Sequence, residues 1–236
     1  PFKKASDIAE ARGGVKPTLI GKRVSELYID PLTADGMIKN LKRSESGLTP
    51  FALLQAISDT IEMRPLPTVV KKDYEYMDSL MLQEDKNLRT PREWDPEYET
   101  FLRSVKLAYV LHNWVEESGE DRILEDFNIT PGELRYRIEK SDWLLYAISE
   151  LALLLGMKES LTHTNKMRIR MKYGVKEELL PLVKLKGVGR VRARTMYGSG
   201  VKGLADLRKI PLESLEKILT PKLARDVKDQ LDELQK

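Results

Sequence analysis

Apolar residues along this chain recur at intervals of three and four, the repeat of one helix face, in almost every window. "LTPFALLQAISDTIEM" offers Thr49 as N-cap and Pro50 at the first helical position, with apolar residues at 53, 54, 57 and 61. "DPEYETFLRSVKLAYVLHNWVEE" places them at 98, 101, 102, 105, 109 and 115 and predicts a helix that Gly119 stops. "ITPGELRYRIEKSDWLLYAISELALLLG" opens on Thr130, Pro131 and Glu133, a capping box, and predicts a long helix ending at Gly156. Only "GGVKPTLIG", residues 13–21, reads as a short hairpin of strands. Pro65, Pro67 and "RTPREWDP" at 89–96 break the middle into packed helices. The pattern predicts an all-α fold, with boundaries near residues 30 and 160.

The long helix carries the first candidate site. At 100° per residue, Leu134, Ile138, Leu145, Ile148 and Ala152 form one apolar stripe. Trp143 lies about 180° from Leu134, and Tyr136 within about 20° of Trp143, so two aromatics share the opposite face about 10 Å apart along the axis. Arg135 and Arg137 flank them. Such a face suits stacking of single-strand bases. Periodicity equally allows a helix buried on both sides, since Leu144, Leu151 and Leu154 broaden the apolar surface.

The second candidate is "VKLKGVGRVRARTMYGSG", residues 183–200. Apolar Leu182 and Leu185 precede Gly187-Val188-Gly189, and Ala193 and Met196 follow, the signature of a helix-hairpin-helix. Two glycines there would allow positive φ and a backbone open to a ligand. The amides of the hairpin and of the following helix's first turn would hold a nucleic-acid phosphate. Lys184, Lys186, Arg190, Arg192 and Arg194 would add charge, although arginines at alternate helix positions cannot all point one way.

Charge supports the second site. The 236 residues carry a net charge of only +3, yet from Lys166 to Lys209 thirteen cations face three acids, a net of +10. A near-neutral chain with one basic quarter resembles a polyanion-binding module joined to a less basic body. Glu116 to Asp126, with six acids and one base, reads as a solvated face. The 41% hydrophobic content predicts a globular protein rather than a disordered one.

The absence of cysteine excludes disulfides and thiolate metal sites, and implies intracellular residence. His112 and His163 read as ordinary helix residues. "LALLLGM" is far short of a membrane span, and no signal peptide is visible. No GxxxxGK[ST] occurs, the terminal "DELQK" follows no strand, and acids such as Asp73, Glu75 and Asp78 form no cluster on an apolar element. No catalytic residue, metal site or cofactor is expected in this chain, and it should hydrolyse no ATP alone. The opening "PFKKASDIAE", without an initiator Met, points to a piece of a longer protein.

Taken together, "GKRVSELYIDPLTADGMIKNL", the Thr49 helix, the Thr130 helix and "YGVKEELLPLVKLKGVGRVRARTMY" resemble, in order and over nearly the whole chain, the C-terminal third of the archaeal Holliday-junction-migration helicases. The resemblance implies a winged-helix remnant at 1–30, a helical ratchet domain at 31–160 and a helix-hairpin-helix domain at 161–236. It implies that Trp143 matches a ratchet tryptophan that stacks on the translocated strand. Arg135 or Tyr136 stands where the family carries an arginine, which leaves the second ratchet contact open. By the same resemblance the expected role is the non-motor part of an ATP-dependent 3′-to-5′ DNA helicase in repair and recombination. Its partners would be single-stranded and forked DNA, RecA-like motor domains that bind ATP and Mg, and replication-fork proteins in a nucleoid-associated cytoplasmic setting, with no membrane. An RNA-helicase accessory module or a protein-interaction module of similar architecture remains the alternative.

Overall fold

The computed structural model describes residues 16–43 and 48–233. Among them are thirteen α-helices and no strand. They are α1 (Leu19–Glu26), α2 (Pro31–Arg43), α3 (Pro50–Ser58), α4 (Tyr74–Gln83), α5 (Tyr98–Val115), α6 (Glu120–Phe127) and α7 (Pro131–Leu154). After these come α8 (Lys158–Tyr173), α9 (Leu180–Val183), α10 (Arg190–Gly198), α11 (Leu204–Lys209), α12 (Leu212–Ile218) and α13 (Pro221–Glu233). The all-α expectation holds.

The hairpin expected at 13–21 does not form where it is described: Leu19, Ile20 and Gly21 are the first turn of α1. Thr18 overrides the local strand propensity by capping that turn, its hydroxyl accepting from the Gly21 amide. Residues 13–15 lie outside the described residues, as does half of the stretch read as a winged-helix remnant. Thr49 and Thr130 cap α3 and α7 as their spacing predicts, and Glu133 returns the bond to the Thr130 amide. The helix from Tyr98 stops four residues before Gly119, because Glu117 turns left-handed at φ +73°.

Helix α7 is the axis of a bundle, with α1, α2, α3, α6 and α8 against it. Leu134, Leu145, Ile148 and Ala152 are buried as the wheel predicts, but so are Ser141, Leu144, Ala147 and Leu151. The second half of α7 is therefore interior on most of its circumference. A separate cluster forms beyond α8 from Val175, Leu182, Leu185, Val188, Met196, Leu207, Leu223 and their neighbours. Helix α8 serves both clusters, turning Met167 and Met171 to the bundle and Ile169 and Tyr173 to the C-terminal helices. Lys228 on α13 closes the far end by donating to the carbonyls of Leu207 and Ile210 at 2.6 Å each.

Asp73, counted in the sequence among acids with no apolar setting, is completely buried. Lys106 of α5 meets it at 2.7 Å and also donates to the Thr68 carbonyl. The remaining acceptor positions of Asp73 take the Val70 amide and the Tyr76 hydroxyl. Burial together with this carboxylate pushes the Tyr76 phenol well above its usual range. A buried pair whose partners also bond the Thr68 carbonyl, the Val70 amide and the Tyr76 hydroxyl fixes the 65–73 connection against α5, and removing one partner strands the other's charge. Lys106→Met should destabilise the fold by about 3 to 5 kcal/mol, and adding Asp73→Leu should recover most of that loss. Urea denaturation of the single and double variants checks this; a double variant as weak as the single one would mean that the pair is not the source.

Candidate nucleic-acid interface

Helices α9 and α10 flank the glycine hairpin, which is seated on the second core by Leu185 and Val188. Only Gly187 needs to be glycine for conformational reasons. Its φ is +82°, and a Cβ there would stand 2.7 Å from Leu223 Cδ1. Gly189 is different from expectation: at φ −91° it has an ordinary backbone, with open space around it. What it provides is an N-cap without a side chain. Among the described residues, the amides of Gly187, Gly189, Arg190 and Val191 have no partner. The Lys186 amide is taken by Gln230, which also donates back to the Lys186 carbonyl.

The cations around the hairpin divide into two groups. Lys184, Lys186 and Arg192 are exposed, and Arg192 folds back to donate to the Gly187 carbonyl at 2.8 Å. Arg190 and Arg194 instead turn to the bundle. The Arg190 guanidinium lies 5.2 Å from the ring centroid of Trp114, where burial disfavours its charge. Arg194 pairs with Glu117 at 2.6 Å and with Glu178 at 3.0 Å.

Glu116 and Glu117 therefore leave the acidic run that the sequence assigned to solvent. Glu116 pairs with the buried Arg170 and with Lys176, while Glu117 also accepts from the Lys176 amide. Between them and α8 sits Trp114, whose indole N–H donates to the Met171 carbonyl at 2.8 Å. A Cβ on Gly174, at φ +63°, would stand 2.7 Å from two atoms of that indole. Sequence reasoning missed Trp114, Glu117, Arg170 and Gly174. The one signal was the paired Glu116-Glu117 that follows Trp114 and Val115 at a helix end.

On α7, Trp143 is half-buried, its indole N–H donating to the Leu27 carbonyl at 2.9 Å. Tyr136 is 47% exposed, with the Lys140 ammonium 4.9 Å from its ring centroid. Arg135 is exposed and paired with Glu139. Arg137 is buried: it donates to the Pro65 carbonyl, its Nε has no partner, and burial lowers its basicity. The face opposite the core is thus only partly free, since α1 and the α1–α2 turn cover part of it. His112 is packed edge-on to Phe51 at 6.0 Å, and burial lowers its proton affinity.

A bundle around one long central helix is joined to a second core that carries a glycine hairpin with open amides. The family described as archaeal helicase, domain 4, matches residues 51–174, just over half of the chain, and the chain belongs to it. The match runs from α3 through α8 and stops at Gly174. The chain is also 36% identical over 219 residues to the ATP-dependent DNA helicase Hel308 of Methanocaldococcus jannaschii, covering 91% of this chain and 17% of that protein. The protein of the same name from Thermococcus kodakarensis is 38% identical over 199 residues, covering 83% of this chain and 18% of the relative. For Pyrococcus abyssi the identity is 34% over 209 residues, with 86% and 28% covered. The chain spans less than a third of the length of these relatives.

The Glu117 cluster has a pH consequence. Burial opposes ionisation of Glu117, but Arg194 and the Lys176 amide outweigh it and hold the carboxyl below its usual range. A depressed carboxyl contributes stability above its unfolded value of about 4.3, and that stability is lost as pH falls through the folded value. Glu117→Gln should lower the thermal midpoint at pH 7, with the gap to wild type closing as pH falls below about 4. A gap of constant size across a pH series of thermal melts would locate the effect elsewhere.

Proposed function

We propose that this chain is the DNA-gripping, non-motor part of an ATP-dependent 3′-to-5′ DNA helicase that works on forked or branched DNA in replication-coupled repair and recombination. Its relatives are named as ATP-dependent DNA helicases, and ATP and Mg belong, in this reading, to motor domains outside this chain. The observation that carries the reading is the Gly187–Val191 turn, where the unpartnered amides of Gly187, Gly189, Arg190 and Val191 are bordered by exposed Lys184, Lys186 and Arg192. Amides converging at a helix start bind a phosphate without reading its base. Lys184, Lys186 and Arg192 contact phosphates directly, whereas Arg190 and Arg194 hold the hairpin on the bundle and so set its direction.

Trp143 and Tyr136 supply the stacking contacts. Trp143 rests against the bases of the loaded strand and resists back-slippage while the motor pulls; Tyr136 takes the second position, with Arg135 beside it on the exposed face. Motor domains of the same parent, single-stranded and forked DNA, and replication-fork proteins are the partners this reading assigns, in a nucleoid-associated cytoplasm.

Fluorescence anisotropy of labelled single-stranded and forked DNA across a salt series tests the hairpin. Lys184→Gln with Arg192→Gln should flatten the log–log salt dependence by about one unit for each phosphate no longer held, whatever the base sequence. An unchanged slope would remove the hairpin from the interface. Trp143→Phe, which keeps the packing but loses part of the stacking surface, and Trp143→Ala should weaken binding in that order, the Ala variant by about fivefold or more. Equal binding by all three would return α7 to a purely structural role.

A further inference from the structure

Helices α2 and α3, the start of α5 and the connection from α4 to α5 enclose a cavity of about 650 Å³ that neither the hairpin nor Trp143 touches. Four cations line it, Lys39, Arg43, Arg64 and Arg89, against two carboxylates, Asp59 and Glu97. Lys39 already pairs with Asp35 at 2.6 Å, and Arg43 donates to Asn40. Arg64 and Arg89 are exposed and have neither a direct ion pair nor a side-chain hydrogen bond among the described residues, although both attract the Asp59 carboxylate at longer range.

The connection that forms the cavity's outer wall is itself ordered. The Arg92 amide donates to the Asp95 carboxylate at 3.0 Å, the Asp95 amide to the Arg92 carbonyl, and the Tyr98 amide to the Asp95 carbonyl. These turns hold Trp94, which lies between the cavity-lining Pro91 and Pro96, 76% exposed, with the Arg92 guanidinium 5.4 Å from its ring centroid. A lone exposed apolar residue needs no explanation. An exposed indole on a braced turn, beside a cleft with two unpaired guanidiniums, combines the two elements that hold a single strand: a phosphate clamp and a stacking plane.

We propose that this cleft receives a backbone phosphate of a single nucleic-acid strand between Arg64 and Arg89, with Trp94 stacking on the adjacent base. Choosing nucleic acid rests on the reading given under the proposed function. The charge balance selects within that class. Asp59 and Glu97 repel a densely charged ligand such as a nucleoside triphosphate, whereas a phosphodiester carries a single charge that two guanidiniums satisfy. No residue of the hairpin or of α7 lines the cleft, so it extends the contacted strand across a third region of the chain.

The test measures salt-dependent binding of the 236-residue chain to a labelled oligothymidylate and to an abasic oligomer of equal length. Both arginines are exposed and make no direct ion pair among the described residues, so Arg64→Gln with Arg89→Gln should lower the thermal midpoint only by the small loss of their longer-range attraction to Asp59. It should flatten the salt slope for both oligomers by about one unit. Trp94→Ala should weaken the thymidylate about fivefold or more and leave the abasic strand unchanged. Wild-type slopes in the arginine double variant, with the slope of Lys184→Gln/Arg192→Gln reduced, would overturn this site while leaving the hairpin reading intact; the cleft would then face a protein surface. Loss of both oligomers alike in Trp94→Ala would overturn the stacking contact. A wild-type chain that binds neither oligomer would overturn both readings.

Discussion

The placement of everything beyond Gly174 depends on the indole of Trp114. That ring closes against the Cα of Gly174, donates to the carbonyl of Met171 and carries Arg190 over its face. No side chain at position 174 fits, both because φ is positive and because the ring occupies the space. Around the indole, Glu116 and Glu117 draw in Arg170, Lys176 and Arg194. Such partly buried pairs add little net energy each, because desolvation offsets attraction. Their effect is directional, since each guanidinium has one arrangement that satisfies its donors. The hairpin is consequently presented at one angle to the bundle rather than swinging on the end of α8.

This junction changes the meaning of the basic quarter. Arg168 and Arg170 pair with Asp142 and Glu116, Lys166 with Glu177 and Arg194 with two carboxylates, so much of the local positive charge is neutralised inside the molecule. The exposed remainder includes Lys184, Lys186 and Arg192 at the hairpin itself. A salt-dependent interaction scales with the phosphates actually held rather than with the cations present. The cationic charge left free in this region is therefore smaller and more localised than its composition suggests.

The helices and their caps were legible in the sequence because they depend on neighbours three and four residues apart. Thr49, Thr130 and Glu133 act where their spacing places them. The hairpin was legible as well, although Gly187 and Gly189 turned out to have different reasons to be glycine. What could not be read locally was pairing across long sequence separations. Asp73 meets Lys106 and Glu117 meets Arg194, partners 33 and 77 residues apart. Without those partners the acids look like solvated charges, and the arginines look free for a ligand. The same limit applied to α7, whose wheel shows a second face but not that α1 lies partly across it.

That partial cover bears on how the face of α7 can act. An exposed tryptophan loses rotamer freedom when a base stacks on it, which offsets part of the gain. Trp143 has already lost that freedom, because its N–H is bonded to the Leu27 carbonyl and its ring is packed against the bundle. The next residue, Tyr28, is held left-handed at φ +56°, so the turn supplying that carbonyl is itself fixed. In the proposed reading a strand meets an indole whose orientation is set before it arrives. A contact of that kind resists sideways displacement better than a mobile ring of equal area, which is the property a ratchet requires.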